Sequence, residues 1–368
     1  MKRPDIAVGL SLILLLALTA CTSLPAAVQP APATEASVAP VPAAAEPAAT
    51  TAGVVTLIDQ AGQQVTIGQP VERIVSSYGM ASLYVYALGG GDRLVGATFL
   101  MSKDEQIKAR LGLLKPDASV LPDPGGQQDA SVEEVAKADP DLILIAARAA
   151  SQDTMQALGV PMIRFEGETM DRLKEALTIT GQALGPDATA RAADLTAYMD
   201  ERLAEIKAVS DATPPDQRKR VFISGTSPLK TAGKDMLQSE MVALAGGVNV
   251  AQEISGFWTE VNLEQVAQWD PEVIFTVPYK GASVEAILNS PEWANITAVK
   301  NGQVFMLPKY LGPWDTPIPE AVLGVLWMAG RLFPDTPLRE GCEARTTDFY
   351  QRFYDLAISA EDAAALCR

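Results

Sequence analysis

The sequence predicts an α/β protein of two lobes, each with a mainly parallel sheet flanked by helices, joined by a single long backbone helix. Three observations predict this fold. The phrase SVEEVAKADPDLI at residues 131–143 recurs as NLEQVAQWDPEVI at residues 262–274, with six of thirteen positions identical. The segments before each copy follow the same order of strand, loop, helix and strand. Between the two halves lies a stretch with helical periodicity and no internal glycine or proline.

The first element is a targeting segment, residues 1–20. Lys2 and Arg3 precede an apolar run of about fifteen residues, which is too short for an ordinary membrane span. The run ends in Leu-Thr-Ala-Cys, which resembles the bacterial lipobox, a signal whose cysteine is lipidated and becomes the first mature residue. This resemblance implies a lipid on Cys21. The alternative is an ordinary secretory signal followed by an incidental cysteine.

Residues 21–53 are dominated by alanine and proline and contain few large apolar side chains. Such a segment cannot form a core, so we expect a lipid-anchored linker. It would hold the globular body on the outer face of a bacterial membrane, with the lipid as its only attachment.

Residues 54–185 form the predicted N-terminal lobe. A small hairpin with its turn at Ala61 and Gly62 precedes a buried strand and a helix that stops at the glycines 89–91. The first copy of the repeated phrase then begins with Ser131 as the N-cap of a short helix. Pro140 ends this helix, and the apolar run DLILIAA forms the next buried strand.

Residues 186–212 are predicted to contain the connecting helix, of roughly twenty residues and about 30 Å at 1.5 Å per residue. A helix is stiff, so the lobes should move little relative to each other. Residues 213–368 form the C-terminal lobe, where Asn262 and Pro271 repeat the cap and the helix breaker. In an exported protein Cys342 and Cys367 are expected to form a disulfide, and two unpaired thiols are the alternative.

Composition excludes several classes of function. The net charge of −16 argues against a nucleic-acid partner, which needs a basic face for phosphates. The chain has no histidine, which removes Ser-His-Asp and Cys-His catalysis and histidine-based metal sites. There is also no phosphate-binding loop and no G-x-S-x-G motif. We therefore expect that the protein is not an enzyme and that it holds no resident metal.

Paired α/β lobes bind ligands at the carboxyl ends of their strands. Aromatic and cationic side chains follow the predicted strands here, and they suit a bulky anionic ligand because they combine broad apolar contact with positive charge. For each cation the alternative is an ordinary surface position, and for each tryptophan it is a place in the core. The expected ligand contacts are Ser77, Tyr78, Met80, Arg148, Lys230, Trp258, Tyr279, Lys280 and Trp314.

Four phrases in this order resemble the class III substrate-binding proteins of ABC importers over about residues 54–340: PVERIVSS, the doubled phrase, the helix ends ALGGG and ALAGG, and PWDTPIPEAVLGVLWMAGRLFPD. The resemblance implies a monomer that delivers its ligand to a permease dimer driven by a cytoplasmic ATPase. It also implies that one glutamate on each lobe, Glu133 and Glu264, docks onto the permease. The alternative is that both carboxylates merely favour the first turn of their helices.

The family binds ferric siderophores, cobalamin and haem. The cations favour an Fe(III)-siderophore chelate, whereas cobalamin or another corrinoid would need fewer of them. Haem would need an axial ligand, for which Tyr78 or Met80 would have to serve because histidine is absent. A second class of function is a tethered sensor or scaffold lipoprotein of the same fold.

Overall fold

A four-stranded parallel sheet lies in each lobe of the computed structural model, which describes residues 53–115, 118–279 and 284–368. The predicted fold class is confirmed. The described chain belongs to one compact unit, Thr50–Arg368. In chain order the first lobe contains β1 Val54–Ile58, β2 Gln64–Gly68, β3 Ile74–Ser76, α1 Gly79–Ala87, β4 Leu94–Ala97, α2 Glu105–Leu114, α3 Val132–Lys137, β5 Leu142–Ala146, α4 Gln152–Gln156, β6 Met162–Phe165 and α5 Met170–Leu184.

The first lobe is built around the sheet β4-β3-β5-β6, in which all neighbouring strands are parallel. Every residue of β3 and β5 is buried, as expected for a sheet covered by helices on both faces. Strands β1 and β2 form the predicted antiparallel hairpin, whose turn contains Gly62 at a φ of 77°. Such a positive φ costs little only for glycine.

The connecting helix α6 spans Pro186–Ser210, a length of 25 residues. Gly185, at a φ of 111°, separates it from α5, and Pro186 occupies its first turn, where a missing N–H is tolerated. Its buried positions include Leu195, Tyr198 and Met199. The 25 residues correspond to about 37 Å of helix at 1.5 Å per residue, somewhat longer than predicted.

The second lobe is built around the sheet β12-β11-β7-β9, which is also parallel throughout, and carries a short antiparallel pair of β8 and β10. In chain order it contains β7 Arg220–Ser224, β8 Lys230–Ala232, α7 Leu237–Leu244, β9 Val248–Asn249, β10 Trp258–Glu260, α8 Leu263–Trp269, β11 Val273–Thr276, α9 Val284–Leu288, α10 Thr297–Lys300, β12 Val304–Met306, α11 Ala321–Leu332, α12 Pro337–Glu340, α13 Cys342–Tyr354 and α14 Ala360–Cys367.

The two sheets have the same topology when strands are matched by their order along each half. The sequence β4-β3-β5-β6 in the first lobe corresponds to β9-β7-β11-β12 in the second. The repeated phrase provides α3 and β5 in one lobe and α8 and β11 in the other. The Ser131 hydroxyl accepts a hydrogen bond from the Glu134 N–H, and the Asn262 side-chain oxygen accepts one from the Gln265 N–H.

The repeat also explains the matching positions of two aspartates and two arginines in the two lobes. Asp139 and Asp270 both end their helices with positive φ, 47° and 40°. The Arg73 guanidinium donates to the Asp139 carbonyl at 2.7 Å, and the Arg220 guanidinium donates to the Asp270 carbonyl at 2.9 Å. Each arginine thus fixes the end of the repeated helix against the first core strand of its own lobe, β3 or β7.

The C-terminal segment returns to the first lobe after β12. Helix α11 packs against α6, and α13 contacts α1. The Tyr84 hydroxyl donates to the Pro317 carbonyl at 2.6 Å. Cys342 and Cys367 form a disulfide with a Cα–Cα distance of 5.8 Å, which ties the start of α13 to the end of α14. Contacts between the lobes therefore supplement the covalent connection through α6.

None of the helices in the described parts of the chain is both long and apolar enough to cross a membrane.

Candidate functional site

The carboxyl ends of strands β3, β5 and β6 converge on a cavity of about 230 Å³ in the first lobe. Tyr78 comes from the loop after β3, Arg148 from the loop after β5, and Glu166 and Glu168 from the segment after β6. Parallel strands end at the same edge of their sheet, so residues far apart in sequence meet there. We call the space between these strand ends and those of the second lobe the crevice.

Arg148 is the cation that lines this cavity among the described residues. Its side chain is 50% exposed, and Nη1 lies 3.2 Å from Oε1 of Glu168. The guanidinium carbon also lies 5.3 Å from the ring centroid of Phe257, which belongs to the second lobe. A guanidinium has five N–H donors, and this ion pair engages one nitrogen, so donors remain for a ligand. Arg148 therefore spans the crevice.

Glu168 is the carboxylate that pairs with Arg148. Its side chain is only 25% exposed. Burial raises the pKa of this carboxyl, while the charge of Arg148 and its hydrogen bond act in the opposite direction. The Glu168 carboxylate thus balances the charge of Arg148 inside the protein rather than in open solvent.

Tyr78 lines the cavity, Met80 follows it in the first turn of α1, and both side chains are almost fully buried. The Tyr78 ring stacks on Phe165 with centroids 6.1 Å apart. Burial, followed by the Glu168 charge, raises the pKa of the Tyr78 phenol far above its usual value. The Met80 sulfur lies 3.4 Å from Nε2 of Gln127, which donates to it. Tyr78 therefore presents a neutral phenol, not a phenolate.

The second lobe presents aromatic residues at the strand ends of β7 and β11. The Trp258 ring lies directly over Gly225, where a Cβ atom would approach Cε3 of the indole to 2.6 Å. The Tyr279 hydroxyl donates to Oδ2 of Asp315 at 2.7 Å. Gln238 donates to the same carboxylate at 3.2 Å. The Tyr279 hydroxyl is therefore held by Asp315 as a donor, and its oxygen keeps its capacity to accept a hydrogen bond.

Asp315 is fully buried beneath Tyr279. Burial raises its pKa to about 6, opposed by the hydrogen bonds from Tyr279 and Gln238. Burial also raises the pKa of Tyr279, and the charges of Asp315 and then of Glu168 in the opposite lobe add to that effect.

Two predicted contact residues do not reach the crevice, and their assignment is corrected. The Ser77 hydroxyl is 1% exposed and donates to the Leu144 carbonyl of the neighbouring strand at 3.4 Å. Trp314 is fully buried in the core, where its Nε1 donates to the Tyr350 hydroxyl at 3.1 Å. The indole thus fills the space between the C-terminal helix α13 and the rest of the lobe.

The other two predicted cations are Lys230 and Lys280, and the structure describes the first but not the second. Lys230 begins β8, where its backbone pairs with Glu260, and its side chain is partly exposed. Lys280 lies outside the described residues, as does Cys21. Of the other predicted residues, Arg148 and Tyr78 line the cavity, Tyr279 follows β11, Trp258 lies in β10, and Met80 lies in α1.

Three residues of the site were missed by sequence reasoning. Glu168 follows the strand MIRF, and the rule that ligands bind after strands would have selected it. Phe257 stands next to Trp258, and only the tryptophan is among the predicted ligand contacts. Asp315 directly follows Trp314, and the sequence gives no signal that its carboxylate supports Tyr279.

Glu133 and Glu264 occupy equivalent positions in the first turns of α3 and α8. Both side chains are exposed. Glu133 lies 3.0 Å from the Lys137 ammonium one helical turn later, and Glu134 shares that ammonium at 2.8 Å. The two glutamates are therefore accessible, and they lie on corresponding helices of the two lobes.

A family profile described as periplasmic binding protein matches residues 74–311. The chain belongs to this family. It is the substrate-binding component of an ABC importer, which acts outside the cytoplasm and is not an enzyme. The resemblance to class III substrate-binding proteins is confirmed.

Individual relatives differ in what their names say they bind. The chain is 26% identical to the molybdate-binding protein MolA of Haemophilus influenzae over 84% of its length and 93% of that protein. It is 27% identical to the uncharacterized ABC transporter substrate-binding lipoprotein YvrC of Bacillus subtilis over 77% of its length and 86% of the relative. It is 29% identical to the vitamin B12-binding protein of Yersinia pestis over 56% of its length and 69% of the relative.

A solved periplasmic solute-binding protein from Veillonella parvula has the same fold, with a TM-score of 0.72, 24% identity, and coverage of 86% of this chain and 97% of that one.

Proposed function

We propose that this substrate-binding protein captures a metal-containing anion in the crevice and delivers it to its permease. Arg148 carries the proposal, because its half-exposed guanidinium stands at the strand ends with hydrogen-bond donors to spare. Tyr78 on one side and Phe257, Trp258 and Tyr279 on the other supply aromatic contact around this charge.

Two members of that ligand class have specific support. A ferric siderophore suits the aromatic side chains, which can cover its organic shell. Molybdate is favoured by the name of the molybdate-binding protein MolA, which matches 84% of this chain. It is also favoured by the cavity of about 230 Å³, since sites for drug-sized ligands usually measure about 300–1,000 Å³. A siderophore would place only one anionic group there and extend into the open crevice.

Haem and cobalamin have less support. Tyrosine ligates iron as a phenolate, and burial raises the pKa of the Tyr78 phenol, which disfavours that form. Met80 is almost fully buried beside Gln127. Cobalamin has the support of the name of a relative that matches 56% of this chain. It is a large macrocycle that has no need of the Arg148 charge.

A titration of the full chain in mild detergent tests the proposal. The probes are molybdate, a ferric catecholate, a ferric hydroxamate, ferric citrate, cobalamin and haem, and tryptophan fluorescence or calorimetry reports binding. We expect one anionic metal species to bind saturably and Arg148→Gln to weaken it by about 10- to 100-fold, the usual effect of losing a hydrogen bond to a charged group.

The matched control is Arg352→Gln. Arg352 is similarly exposed, at 42%, and pairs with Asp194 on the connecting helix, away from the strand ends. It should leave the affinity within twofold. Binding of cobalamin or haem alone, or equal effects of the two substitutions, would contradict the anion proposal.

We further propose the domain boundaries and the anchor that the sequence predicts: a signal peptide at 1–20, a lipid on Cys21, a linker to residue 53, lobes at 54–185 and 213–368, and a monomeric body. The relative named as a lipoprotein supports the anchor. Metabolic labelling with a palmitate analogue should mark the chain, and Cys21→Ser should abolish the label. The tethered-sensor alternative predicts ligand binding without any contribution to uptake.

A further inference from the structure

The Arg148–Glu168 ion pair stands where the proposed ligand must bind. Both side chains line the same cavity, and the nearest oxygen of Glu168 lies 3.2 Å from Nη1 of Arg148. A carboxylate at that distance offers the guanidinium the same acceptor that an anionic ligand would offer. A ligand that uses this nitrogen therefore competes with Glu168.

Glu168 differs in this respect from Glu166, the other carboxylate of the cavity. The Glu166 side chain is 64% exposed and lies 3.5 Å from Arg172, outside the Arg148 contact. Glu168 is 25% exposed and faces Arg148 directly. Both glutamates lie in the segment after β6 and carry a negative charge, but only Glu168 forms an ion pair with Arg148.

We propose that Glu168 is a specificity-determining residue that acts as an internal counter-ion and excludes weakly binding anions from Arg148. The inference rests on the proposed function, since it assumes an anion in the crevice. A ligand must displace the Glu168 carboxylate or share the guanidinium with it. Monovalent or poorly matched anions gain too little from Arg148 to do so, whereas a metal-containing anion with several acceptor oxygens and aromatic contacts gains more.

Discrimination therefore comes from a competing group as well as from attraction to the correct ligand. Removing the competitor should strengthen binding of every anion and reduce the advantage of the correct one. This outcome is opposite to that expected for a residue that contacts the ligand favourably.

The first test compares Glu168→Gln with Glu272→Gln in the full chain in detergent, because Glu272 also pairs with an arginine, Arg220 at 3.4 Å, but does not line the cavity. The probes are sodium molybdate, the ferric chelate that binds the wild type most tightly, and sodium sulfate as an anion without a metal. We expect Glu168→Gln to tighten binding of sulfate by roughly fivefold, the upper range for a partly exposed ion pair, and binding of molybdate and the ferric chelate by less, so that the relative affinity for sulfate rises. Glu272→Gln should change each affinity by less than twofold. Glu168→Ala should act in the same direction and replaces the glutamine variant if that variant does not fold.

The second readout is the pH dependence of affinity, which a purely structural role would not change in this direction. Protonated Glu168 does not compete, and burial raises its pKa, so wild-type affinity should increase as the pH is lowered from about 8, and the increase should begin at a higher pH than an ordinary glutamate would give. The groups that face Glu168 are Arg148, Glu166 and the phenols of Tyr78, Tyr84 and Tyr279, which stay neutral in this range. Asp315 also titrates in this pH range, but it is present both in the wild type and in Glu168→Gln. The pH dependence should therefore be weaker in Glu168→Gln.

The outcomes separate this inference from the proposed function. If Arg148→Gln abolishes binding while Glu168→Gln leaves it unchanged or weaker, Glu168 is not a competitor and the anion site stands. If the wild type binds none of the anions, both proposals fail together. Tightening in Glu168→Gln with an unchanged pH dependence would also overturn the competitor role.

Discussion

Glu320 and Asp315 are carboxylic acids buried completely in the C-terminal lobe. The Tyr354 hydroxyl donates to Oε2 of Glu320 at 2.9 Å, while Oε1 has no hydrogen-bond partner among the described residues. Burial raises the pKa of Glu320 to about 7, opposed mainly by the bond from Tyr354. A buried carboxyl with one unsatisfied oxygen is most stable when it is protonated.

This raised pKa predicts a dependence of stability on pH. The folded protein binds the Glu320 proton more tightly than the unfolded chain, so its contribution is complete below about pH 4 and is lost as the pH rises to about 7. We expect Glu320→Gln, which cannot ionise, to gain about 3 kcal/mol of unfolding free energy relative to the wild type between pH 4 and pH 8. Urea unfolding at several pH values measures this difference.

The control is Glu343→Gln at an exposed position of α13. Its stability relative to the wild type should not vary with pH. Parallel stability curves for the wild type and Glu320→Gln would show that Glu320 has an ordinary pKa in the folded protein.

At the scale of elements, the repeated phrase has a structural explanation and a proposed functional one. Its caps, its aspartates with positive φ and its arginine contacts account for Ser131, Asp139 and Pro140 and their counterparts. They do not account for Glu133 and Glu264, because neither carboxylate closes a cap or joins the arginine contact. The glutamates are therefore the part of the phrase open to a role outside the lobe.

Replacing both glutamates tests docking to the permease. In cells that carry the transporter, Glu133→Gln combined with Glu264→Gln should reduce uptake by at least about tenfold, because charge pairs at interfaces often contribute more than 1.4 kcal/mol. Ligand affinity of the purified double variant should stay within twofold, since the crevice is unchanged. Radiolabelled or metal-specific uptake provides the measurement.

The control combines Glu134→Gln with Glu292→Gln, one exposed carboxylate from each lobe. Glu134 shares the Lys137 ammonium with Glu133 and so controls for loss of that ion pair. If both double variants lose uptake to the same degree, the effect comes from general surface charge and not from docking by the predicted pair.

The elements could be predicted from sequence where local chemistry determines them. Ser131, Asn262, Pro140 and Pro271 mark helix ends through their own side chains or rings, and a duplicated pattern strengthened each assignment. Trp314 could not be placed in this way, because its burial depends on Tyr350, which lies 36 residues later and reaches it only in the folded lobe. The pairing of Arg148 with Glu168 likewise depends on the adjacency of β5 and β6.

At the scale of the whole molecule, several contacts hold the two lobes in one arrangement. The Lys309 ammonium lies 2.5 Å from Oδ2 of Asp104, across the β12 and β4 ends of the crevice. This hydrogen bond is the main cause of the lowered pKa of Asp104. The Tyr84 hydroxyl donates a hydrogen bond to the Pro317 carbonyl, and Nη2 of Arg110 lies 3.4 Å from Oδ1 of Asp362. These contacts and the helix α6 together oppose a large hinge motion.

The arrangement predicts that ligand binding closes the crevice only slightly. Spin labels attached through Lys137→Cys and Gln268→Cys would sit at equivalent positions of α3 and α8, one on each lobe. We expect the mean distance between them, measured by pulsed electron resonance, to change by less than about 2 Å when saturating ligand is added. A pair within the first lobe, Glu105→Cys and Lys137→Cys, defines the change that arises without any lobe movement. A shift of more than about 5 Å in the first pair alone would mean that the contacts at Lys309 and Tyr84 yield to the ligand, and that this protein closes by a hinge despite its rigid connecting helix.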